Sequence, residues 1–271
     1  MPAVPPKKRF GQNFLHDVSY RQRILAALAA RPGDEILEIG PGQGALTRGL
    51  LQSGAHIYAI EIDRDLVERL RADPELAGLD LRQGDVLNLD LATLAEGRPL
   101  RIIGNLPYNI STPLLFHLLA QRGRVRDMLF MLQEEVVERI VAGPGHEAYG
   151  RLSVMAQLYC TADLLLRVPA GAFWPVPKVQ SAVVRLIPRP QPAVTLSCLP
   201  VFEDLVRRAF GQRRKMLRRS LQPAQAAALA AAGIDGERRP ETLGLAEWVR
   251  LAELLGGAGL ERSAGVSDPS P

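Results

Sequence analysis

A strand–loop–helix–strand pattern in the first quarter of the chain constrains the fold most. A short apolar strand over residues 35–39 runs into Gly40-Pro-Gly-Gln-Gly44. A helix and a second strand follow, and this strand ends in Glu61, about twenty residues after Gly40. Glycines at such a turn let the backbone approach a ligand, and a carboxylate at the next strand end accepts hydrogen bonds from ribose hydroxyls. The pattern predicts a doubly wound α/β domain that binds a nucleotide-like ligand.

The glycine loop by itself fits two kinds of cofactor. Gly40, Gly42 and Ala45 satisfy the G-x-G-x-x-A pattern of dinucleotide-binding folds, so an NAD-dependent oxidoreductase is one hypothesis. Glu38 argues against it, because its charge would lie where a pyrophosphate binds, whereas it can face the sulfonium and amino groups of S-adenosylmethionine. Asp85 ends a third predicted strand, where a carboxylate suits the exocyclic amine of a bound adenine. These two carboxylates favour S-adenosylmethionine.

A rigid turn, Asn105-Leu-Pro-Tyr108, follows the fourth predicted strand. Pro107 has no N–H and holds Leu106 in an extended conformation, so backbone carbonyls point outward. Together with the Asn105 amide and the Tyr108 ring, they suit a flat group that bears an amine. Because ligands of doubly wound sheets bind beyond the carboxyl ends of the strands, we expect Asn105 to meet the glycine loop and the carboxylates there. The alternative is that this turn is only structural, with Asn105 capping the turn and Tyr108 filling the core.

The N-terminal segment allows two interpretations. Residues 1–9 are proline-rich and then basic, which predicts disorder. Residues 10–15 then combine two phenylalanines with two amides around a glycine. This segment either folds over the edge of the domain, with Gln12 and Asn13 reaching a ligand, or serves as a brace whose amides only satisfy the backbone.

A proline-stiffened loop over residues 173–181 carries two large rings between two predicted closing strands. Such rings either fill the core or form a stacking platform for a base. We interpret Trp174 as a core residue and leave Phe173 open between the two roles.

The composition changes after a stiff linker over residues 188–192. We predict a first domain over residues 1–192, a small helical domain over 193–256 and a flexible tail over 257–271. The helical part carries a dense run of basic residues, which is either a solvated face or a surface that contacts phosphates. The residues of this run that we assign to such contacts are Arg207, Arg213, Arg214, Lys215 and Arg218.

The bulk composition narrows the class of protein. A formal net charge of +4 and a pI of about 9.3 allow a polyanionic partner. No apolar run approaches the roughly 18 residues that span a bilayer, and the start lacks the apolar core of a secretory signal. Two cysteines, Cys160 and Cys198, lack the spacing of metal ligands. We therefore predict a cytoplasmic protein with no membrane partner and no metal.

Five motifs in order resemble those of the rRNA adenine dimethyltransferases. They span nearly the whole chain and read Gly11-Gln-Asn-Phe-Leu15, Glu38-Ile-Gly-Pro-Gly-Gln-Gly44, Asn105-Leu-Pro-Tyr108, Phe173-Trp-Pro-Val-Pro-Lys-Val-Gln-Ser181 and Phe210-Gly-Gln-Arg-Arg-Lys-Met-Leu217. Within this family, the Asn-Leu-Pro-Tyr motif resembles that of the housekeeping branch, whose members dimethylate two adjacent adenines near the 3′ end of 16S rRNA. The antibiotic-resistance branch, which modifies 23S rRNA, more usually carries Asn-Ile-Pro-Tyr.

The resemblance implies a fold, a cofactor and a set of site residues. It implies a doubly wound, Rossmann-like methyltransferase domain followed by a small all-α domain, acting on 16S rRNA in the small ribosomal subunit or its precursor. Nothing in the sequence demands more than a monomer, and we expect one. S-adenosylmethionine would be the methyl donor, S-adenosylhomocysteine its product, and no metal would take part. The cofactor contacts would be Gln12, Asn13, Leu15, Glu38, Gly40, Gly42, Gly44, Glu61, Ile62, Asp85, Val86 and Asn105.

The resemblance also implies how the target base is held. The adenine would leave its stack and lie against Tyr108 and Phe173, with Asn105, Leu106 and Pro107 forming the catalytic turn. Lys7, Lys8 and Arg9 would join the basic run of the helical domain in contacting rRNA. An alternative from another class is a ribosome-assembly factor that keeps the fold without the activity.

Overall fold

The computed structural model describes residues 5–7, 10–107 and 110–264, with only the backbone of residue 196 and residues 258–264. The chain divides into two compact units. The first contains the described residues up to Val137 together with Ala162–Pro188, and the second contains Glu138–Thr161 and the described residues from Arg189 onward.

The strands of the described chain form one large sheet and one small one. They are β1 (Phe14–Leu15), β2 (Glu35–Ile39), β3 (His56–Glu61), β4 (Leu79–Gln83), β5 (Leu100–Asn105), β6 (Val125–Gln133), β7 (Cys160–Val168), β8 (Phe173–Trp174) and β9 (Ser181–Pro188). The seven-stranded sheet has the order β4-β3-β2-β5-β6-β9-β7, and β1 pairs with β8. Neighbours from β4 to β6 are parallel, while β6 and β9 are antiparallel. The predicted doubly wound fold is confirmed.

In the described chain, the first six helices lie between strands, and the last four come after β9. The helices are α1 (Val18–Leu28), α2 (Thr47–Leu51), α3 (Arg64–Arg71), α4 (Ser111–Ala120), α5 (Glu134–Val141), α6 (Arg151–Tyr159), α7 (Leu199–Gly211), α8 (Leu217–Ser220), α9 (Pro223–Ala231) and α10 (Leu245–Ala264). In the described part of the chain, no helix is long and apolar enough to cross a membrane.

The strand order places the switch point of the sheet between β2 and β5. The chain first builds β2, β3 and β4 in one direction and then returns to add β5 on the other side of β2. Every residue of β2 is buried, as expected for a parallel strand covered on both faces. Because crossover connections diverge at the switch point, a crevice opens beyond the carboxyl ends of β2 and β5.

A buried ion pair holds the sheet at the start of β5. Arg101 is 7% exposed, and its Nε and Nη2 atoms donate to the carboxylate of Asp127, both at 2.8 Å. Its Nη1 atom donates to Asp34 Oδ2 at 3.0 Å, and Nη2 also donates to the Leu28 carbonyl at 2.7 Å. These charge-assisted hydrogen bonds, first those to Asp127, raise the pKa of Arg101. The guanidinium therefore joins α1, β5 and β6.

The division into units differs from the predicted boundary at residue 192. Residues 138–161 belong to the second unit, because α6 is bonded to the end of α5, and Tyr149, just before α6, is bonded to the segment before α10. Gln157 Nε2 donates to the Ile140 and Ala142 carbonyls at 3.0 and 2.8 Å, and the Tyr149 hydroxyl donates to the Leu243 carbonyl at 2.8 Å. Local sequence patterns do not reveal these long-range contacts.

The flexible tail predicted from residue 257 is partly helical instead. Helix α10 continues to Ala264, beyond the predicted end of the helical domain at 256. Gly256 faces Cys198 so closely that a Cβ atom there would lie 2.4 Å from Sγ. Gly256, the last residue of the predicted helical domain, is thus a close-packing residue within a helix, and the helix continues through the glycines that follow it.

Candidate active site

The predicted nucleotide-binding residues meet beyond the carboxyl ends of four parallel strands. The glycine loop follows β2, Glu61 ends β3, Asp85 lies two residues after β4, and Asn105 ends β5. Gly40 and Gly42 have φ angles of 66° and 59°, a region that L side chains rarely adopt. A Cβ atom on Gly42 would also lie 3.2 Å from the Phe14 ring, so the loop needs glycine for two reasons.

Glu61 is held by backbone donors at the end of β3. It is 5% exposed, and its Oε1 and Oε2 atoms accept hydrogen bonds from the Asp63 and Gly42 amides at 2.9 and 3.2 Å. Burial raises the pKa of this carboxyl, while the two amide donors act against that rise. The carboxylate is therefore oriented before any ligand arrives, with its position tied to the glycine loop.

Asp85 begins a short turn after β4. Its Oδ1 atom accepts a hydrogen bond from the Leu87 amide at 2.9 Å, while the residue itself is exposed and lines a cavity. Val86, next to it, is 6% exposed and lines the same cavity with an apolar surface. A carboxylate beside an apolar wall suits a purine, whose amine needs an acceptor and whose faces need contact.

Asn105 is oriented by a hydrogen bond from its side-chain amide. Its Nδ2 atom donates to the Asn13 carbonyl at 3.0 Å. Because a carbonyl can only accept, this contact assigns the amide nitrogen to Asn13 and leaves Oδ1 as the outward acceptor. In the following turn, the Leu106 amide donates to the Met131 carbonyl at 3.1 Å, and the Pro107 carbonyl accepts from the Ile110 amide at 3.2 Å. These two hydrogen bonds tie the described part of the turn to β6 and to the start of α4.

Glu38 is the most deeply buried carboxyl of the site. It is 2% exposed, and Oε2 accepts a hydrogen bond from the Thr47 hydroxyl at 2.7 Å. Burial, opposed by the Thr47 hydrogen bond and reinforced by the nearby Glu61 carboxylate, raises the pKa of Glu38 to about 7. A cationic group bound beside it would favour the ionised form, so this position suits a positively charged ligand.

Two cavities meet at these residues and share Phe14, Gly40, Gly42 and Asn105. The smaller cavity, about 290 Å³, is lined among others by Gln12, Asn13, Glu61, Ile62, Asp85, Val86, Leu106 and Pro107. The larger cavity, about 590 Å³, is lined by Leu15, Glu38, three arginines and Trp174 among others. Most predicted cofactor and catalytic residues thus lie on one continuous site.

Gly44, although predicted as a cofactor contact, lines neither cavity. Its Cβ position points at Arg48 Nη1, 3.0 Å away, and at Leu70 and Leu76, each 3.4 Å away. With a φ of 77°, it allows the chain to turn from the loop into α2 and to pack closely there. Its role is structural.

Lys7 was predicted to contact rRNA, but its side chain is used inside the protein. Its Nζ atom forms ion pairs with Asp63 at 2.5 Å and Asp65 at 2.6 Å. Gln12 completes the contact, because Oε1 accepts from the Lys7 amide at 2.8 Å and Nε2 donates to Asp63 at 3.0 Å. The segment combines both interpretations of the sequence: it braces α3 and also lines the smaller cavity. Lys8, Arg9 and Tyr108 lie outside the described residues.

The two aromatic residues of β8 have opposite environments: the one predicted to be in the core is exposed, and the one left open is buried. Phe173 is 1% exposed and belongs to the hydrophobic core, whereas Trp174 is 52% exposed and lines the larger cavity. Pairing with β1 places Leu15 opposite Phe173 and Phe14 opposite Trp174. Because side chains alternate along a strand, this register turns Phe173 inward. The description of Trp174 as a core residue was wrong, and the Phe173 ring is not open to a base in this structure.

The basic run of the second unit is only partly available to a partner. Arg207 pairs with Asp204, Arg213 pairs with Glu241 at 2.5 Å, and Arg218 pairs with Glu237 at 3.1 Å. Arg213 also donates to the Glu147 carbonyl at 2.6 Å, so it mainly holds the unit together. Arg214 and Lys215 are exposed and have no ion pair among the described residues. These two fit the predicted phosphate-contacting role best.

Sequence reasoning missed several lining residues. The smaller cavity is also lined by the apolar residues Phe10, Phe14, Ile39, Ile60, Leu66 and Ile110. The larger cavity is also lined by Arg21, Arg48 and Arg69. The position of Phe14 inside the first of the five motifs offered a signal for one of them, whereas arginines on helices look like any solvated residue. Among the described residues, no group of three or more His, Cys, Asp or Glu side chains could hold a metal ion.

The comparisons with known proteins agree with one another on a family. The family described as ribosomal RNA adenine dimethylase matches residues 5–256. The chain is 53% identical over 255 residues to ribosomal RNA small subunit methyltransferase A of Pseudomonas syringae pv. tomato, covering 92% of this chain and 94% of the relative. It is 52% identical over 261 residues to the protein of that name from Chromohalobacter salexigens, covering 93% and 92% of the two chains.

Solved structures show the same fold. The chain resembles the 23S rRNA methyltransferase ErmE with a TM-score of 0.71 and 27% identity, covering 89% of this chain and 98% of that one. A dimethyladenosine transferase from Plasmodium falciparum gives a TM-score of 0.73 at 24% identity, covering 90% and 98%. With the family match extending over nearly all of its length, this chain belongs to the ribosomal RNA adenine dimethylase family.

Proposed function

We propose that this enzyme of the adenine dimethylase family transfers methyl groups from S-adenosylmethionine to two adjacent adenines near the 3′ end of 16S rRNA. The single observation that carries the chemistry is the orientation of Asn105, whose Nδ2 atom is held by the Asn13 carbonyl. The choice of substrate rests on relatives about 53% identical that are named small subunit methyltransferases.

The donor and acceptor groups of the site fit S-adenosylmethionine. Glu61 offers carboxylate oxygens to ribose hydroxyls, and Asp85 offers an acceptor to the adenine amine beside the apolar Val86. Glu38 provides negative charge for the sulfonium and amino groups, next to a loop whose glycines admit close backbone approach. When bound, S-adenosylmethionine supplies an electrophilic methyl group.

The protein's contribution to methyl transfer is the positioning of the target amine. Asn105 Oδ1 and the Leu106 carbonyl are two acceptors on a rigid turn, so they can hold both N–H groups of an adenine amine. The lone pair of this nitrogen is delocalised into the ring, and such hydrogen bonds favour a more tetrahedral, nucleophilic nitrogen. The orientation of the amine then provides most of the acceleration of methyl transfer.

Transfer of a second methyl group to the same nitrogen requires a different pose. After one transfer, the amine keeps one N–H for two acceptors, so one acceptor loses its partner. The monomethylated adenine must therefore shift within the pocket before the second transfer. We infer that the two transfers differ in rate.

The second unit contributes to the attraction of RNA. Arg214 and Lys215 extend from the segment between α7 and α8 without carboxylate partners among the described residues. Exposed cations of this kind bind phosphates by releasing counterions, a contribution that weakens as salt rises. They provide affinity without reading the RNA sequence.

The experiment measures methyl transfer from labelled S-adenosylmethionine to three acceptors: unmodified small-subunit particles, naked 16S rRNA and 23S rRNA. We expect dimethyladenosine in small-subunit material alone, identified by the mass of the modified nucleoside. Comparing particles with naked 16S rRNA defines which form is the substrate.

The main competing function is methylation of 23S rRNA. Its support is the likeness to ErmE, a 23S rRNA methyltransferase, at 27% identity. Label in 23S rRNA alone would establish that function in place of ours. Tight binding to particles without transfer to any RNA would instead indicate an assembly factor.

A further inference from the structure

We infer that Trp174 is a stacking platform for a base of the rRNA strand next to the target adenine, and that Arg21 attracts a phosphate of the same strand. This inference rests on the proposed function. Trp174 is not among the residues assigned to the cofactor or to the target base, although it lines the larger cavity together with Glu38 and Asn105.

The exposure of the Trp174 ring is unusual for its residue type. The side chain is 52% exposed, although an indole gains much from burial. The other tryptophan, Trp248, is fully buried at 0%. Val176 and Val179, at 65% and 42% exposure, extend an apolar surface from Trp174 along the same loop. An exposed ring that lines a cavity is available for contact with a flat partner.

A short chain of contacts ties Trp174 to the catalytic turn. Asn105 Nδ2 donates to the Asn13 carbonyl, and Phe14, the next residue, lies opposite Trp174 in the β1–β8 pair. Residues opposite each other in antiparallel strands have Cβ atoms about 5 Å apart. Both Asn105 and Trp174 line the larger cavity. An RNA strand that delivers a base to Asn105 therefore passes close to the indole.

Three arginines give the larger cavity positive charge apart from the Glu38 carboxyl, and such charge suits an anionic strand. Arg21, Arg48 and Arg69 line the cavity, and Glu38 is the one acidic side chain among the lining residues that the structure describes. Arg48 pairs with Asp73 and Glu75, but Arg21 has no ion pair among the described residues and donates only to the His16 carbonyl at 2.6 Å. Cations beside an exposed aromatic ring are the features by which proteins hold single-stranded nucleic acid. They do not suit an apolar peptide.

The consequence concerns the adenine that neighbours the target base. While one adenine occupies the catalytic turn, its neighbour lies against Trp174, and stacking there holds the strand in register. Trp174 is thus a positioning residue. Loss of its ring should weaken substrate binding and leave the chemical step nearly intact.

The test compares Trp174→Ala, Trp174→Phe and Val176→Ala in methyl transfer to unmodified small-subunit particles. We expect Trp174→Ala to raise KM on the order of tenfold with kcat nearly unchanged, since one base stack contributes about that much. Trp174→Phe should restore most of the affinity, and Val176→Ala should change KM much less than Trp174→Ala does, because Val176 lies outside the cavity lining. S-adenosylhomocysteine binding by calorimetry verifies that each variant is folded.

Fluorescence supplies a readout that is independent of activity. The protein has two tryptophans, so subtracting the emission of Trp174→Phe isolates that of Trp174. We expect an adenine oligonucleotide to quench this emission and an abasic oligomer of the same length and charge not to do so. Equal KM values for Trp174→Ala and Val176→Ala, or no quenching at saturating RNA, would overturn the inference. Quenching without methyl transfer by the wild type would support the stacking role and refute the proposed activity.

Discussion

Replacement of Glu38 by glutamine tests the electrostatics of the site. Glu38 is 2% exposed with a pKa of about 7, compared with 4.5 for an ordinary glutamate. This rise corresponds to about 3 kcal/mol of instability once the carboxyl is ionised in the folded protein. Glutamine keeps an acceptor for the Thr47 hydroxyl and carries no charge, so it removes this penalty.

The sign of the effect follows from the two pKa values. Between about pH 4.5 and pH 7, the unfolded chain ionises Glu38 while the folded protein keeps it protonated, so the wild type loses stability as the pH rises. Glu38→Gln lacks this dependence. Near pH 8 we expect the variant to be more stable by about 3 kcal/mol, or roughly 6–10 °C in Tm, and near pH 5 by less than about 1 kcal/mol.

The affinity for S-adenosylmethionine should rise with pH, whereas the stability of the free wild type falls. Ionised Glu38 attracts the cationic S-adenosylmethionine, so wild-type affinity should rise as the pH passes through about 7, and this rise should be absent in Glu38→Gln. Thermal unfolding without ligand and calorimetric titration at both pH values measure the two effects. Glu35→Gln is a matched control in the same strand, because Glu35 is also buried but pairs with Arg98 at 2.5 Å. Equal gains for both variants, or a gain that does not depend on pH, would refute the argument.

Three further perturbations test other parts of the structure. Asn105→Ala removes the Oδ1 acceptor, so we expect methyl transfer to fall at least about a hundredfold while particle binding measured by filter retention changes little; a variant that keeps most of its rate would contradict the acceptor role. Reversing the charge of Arg214 and Lys215 together should weaken RNA binding and flatten its dependence on salt, whereas an unchanged salt slope would make them an ordinary solvated face. Arg101→Ala leaves the buried Asp127 without its partner, and denaturant unfolding should show a loss of about 3–5 kcal/mol; a loss below about 1 kcal/mol would show that the pair is dispensable.

The cofactor site could be predicted largely from local patterns. Glycines that need positive φ angles, a carboxylate at the end of the next strand and an asparagine before a proline are each adjacent in sequence to the strand that positions them. Since parallel strands end at a common edge of the sheet, knowledge of the strands alone brings Gly40, Glu61, Asp85 and Asn105 together. Gly44, in the same glycine loop, was also predicted to contact the cofactor, but its φ angle serves the packing of the loop against α2 and α3.

The roles of single charges in the basic segments were not predictable in this way. Lys7 and Arg213 look like their neighbours in sequence, yet Lys7 pairs with Asp63 and Arg213 pairs with Glu241. Their partners are distant in sequence and come close only in the folded chain. Composition therefore predicted a basic run, and the structure distinguished Arg214 and Lys215 as its free members within the described chain.

The sequence by itself determined the family, the doubly wound sheet and the residues at its carboxyl edge, because these depend on periodicity and on backbone geometry within short segments. Only the tertiary structure decided which ring of the Phe173–Trp174 pair faces the core. A strand of two residues is too short to show alternation, and a shift of one residue in its pairing would exchange the two faces. The register with Phe14–Leu15 sets that choice, through hydrogen bonds between segments far apart in the chain.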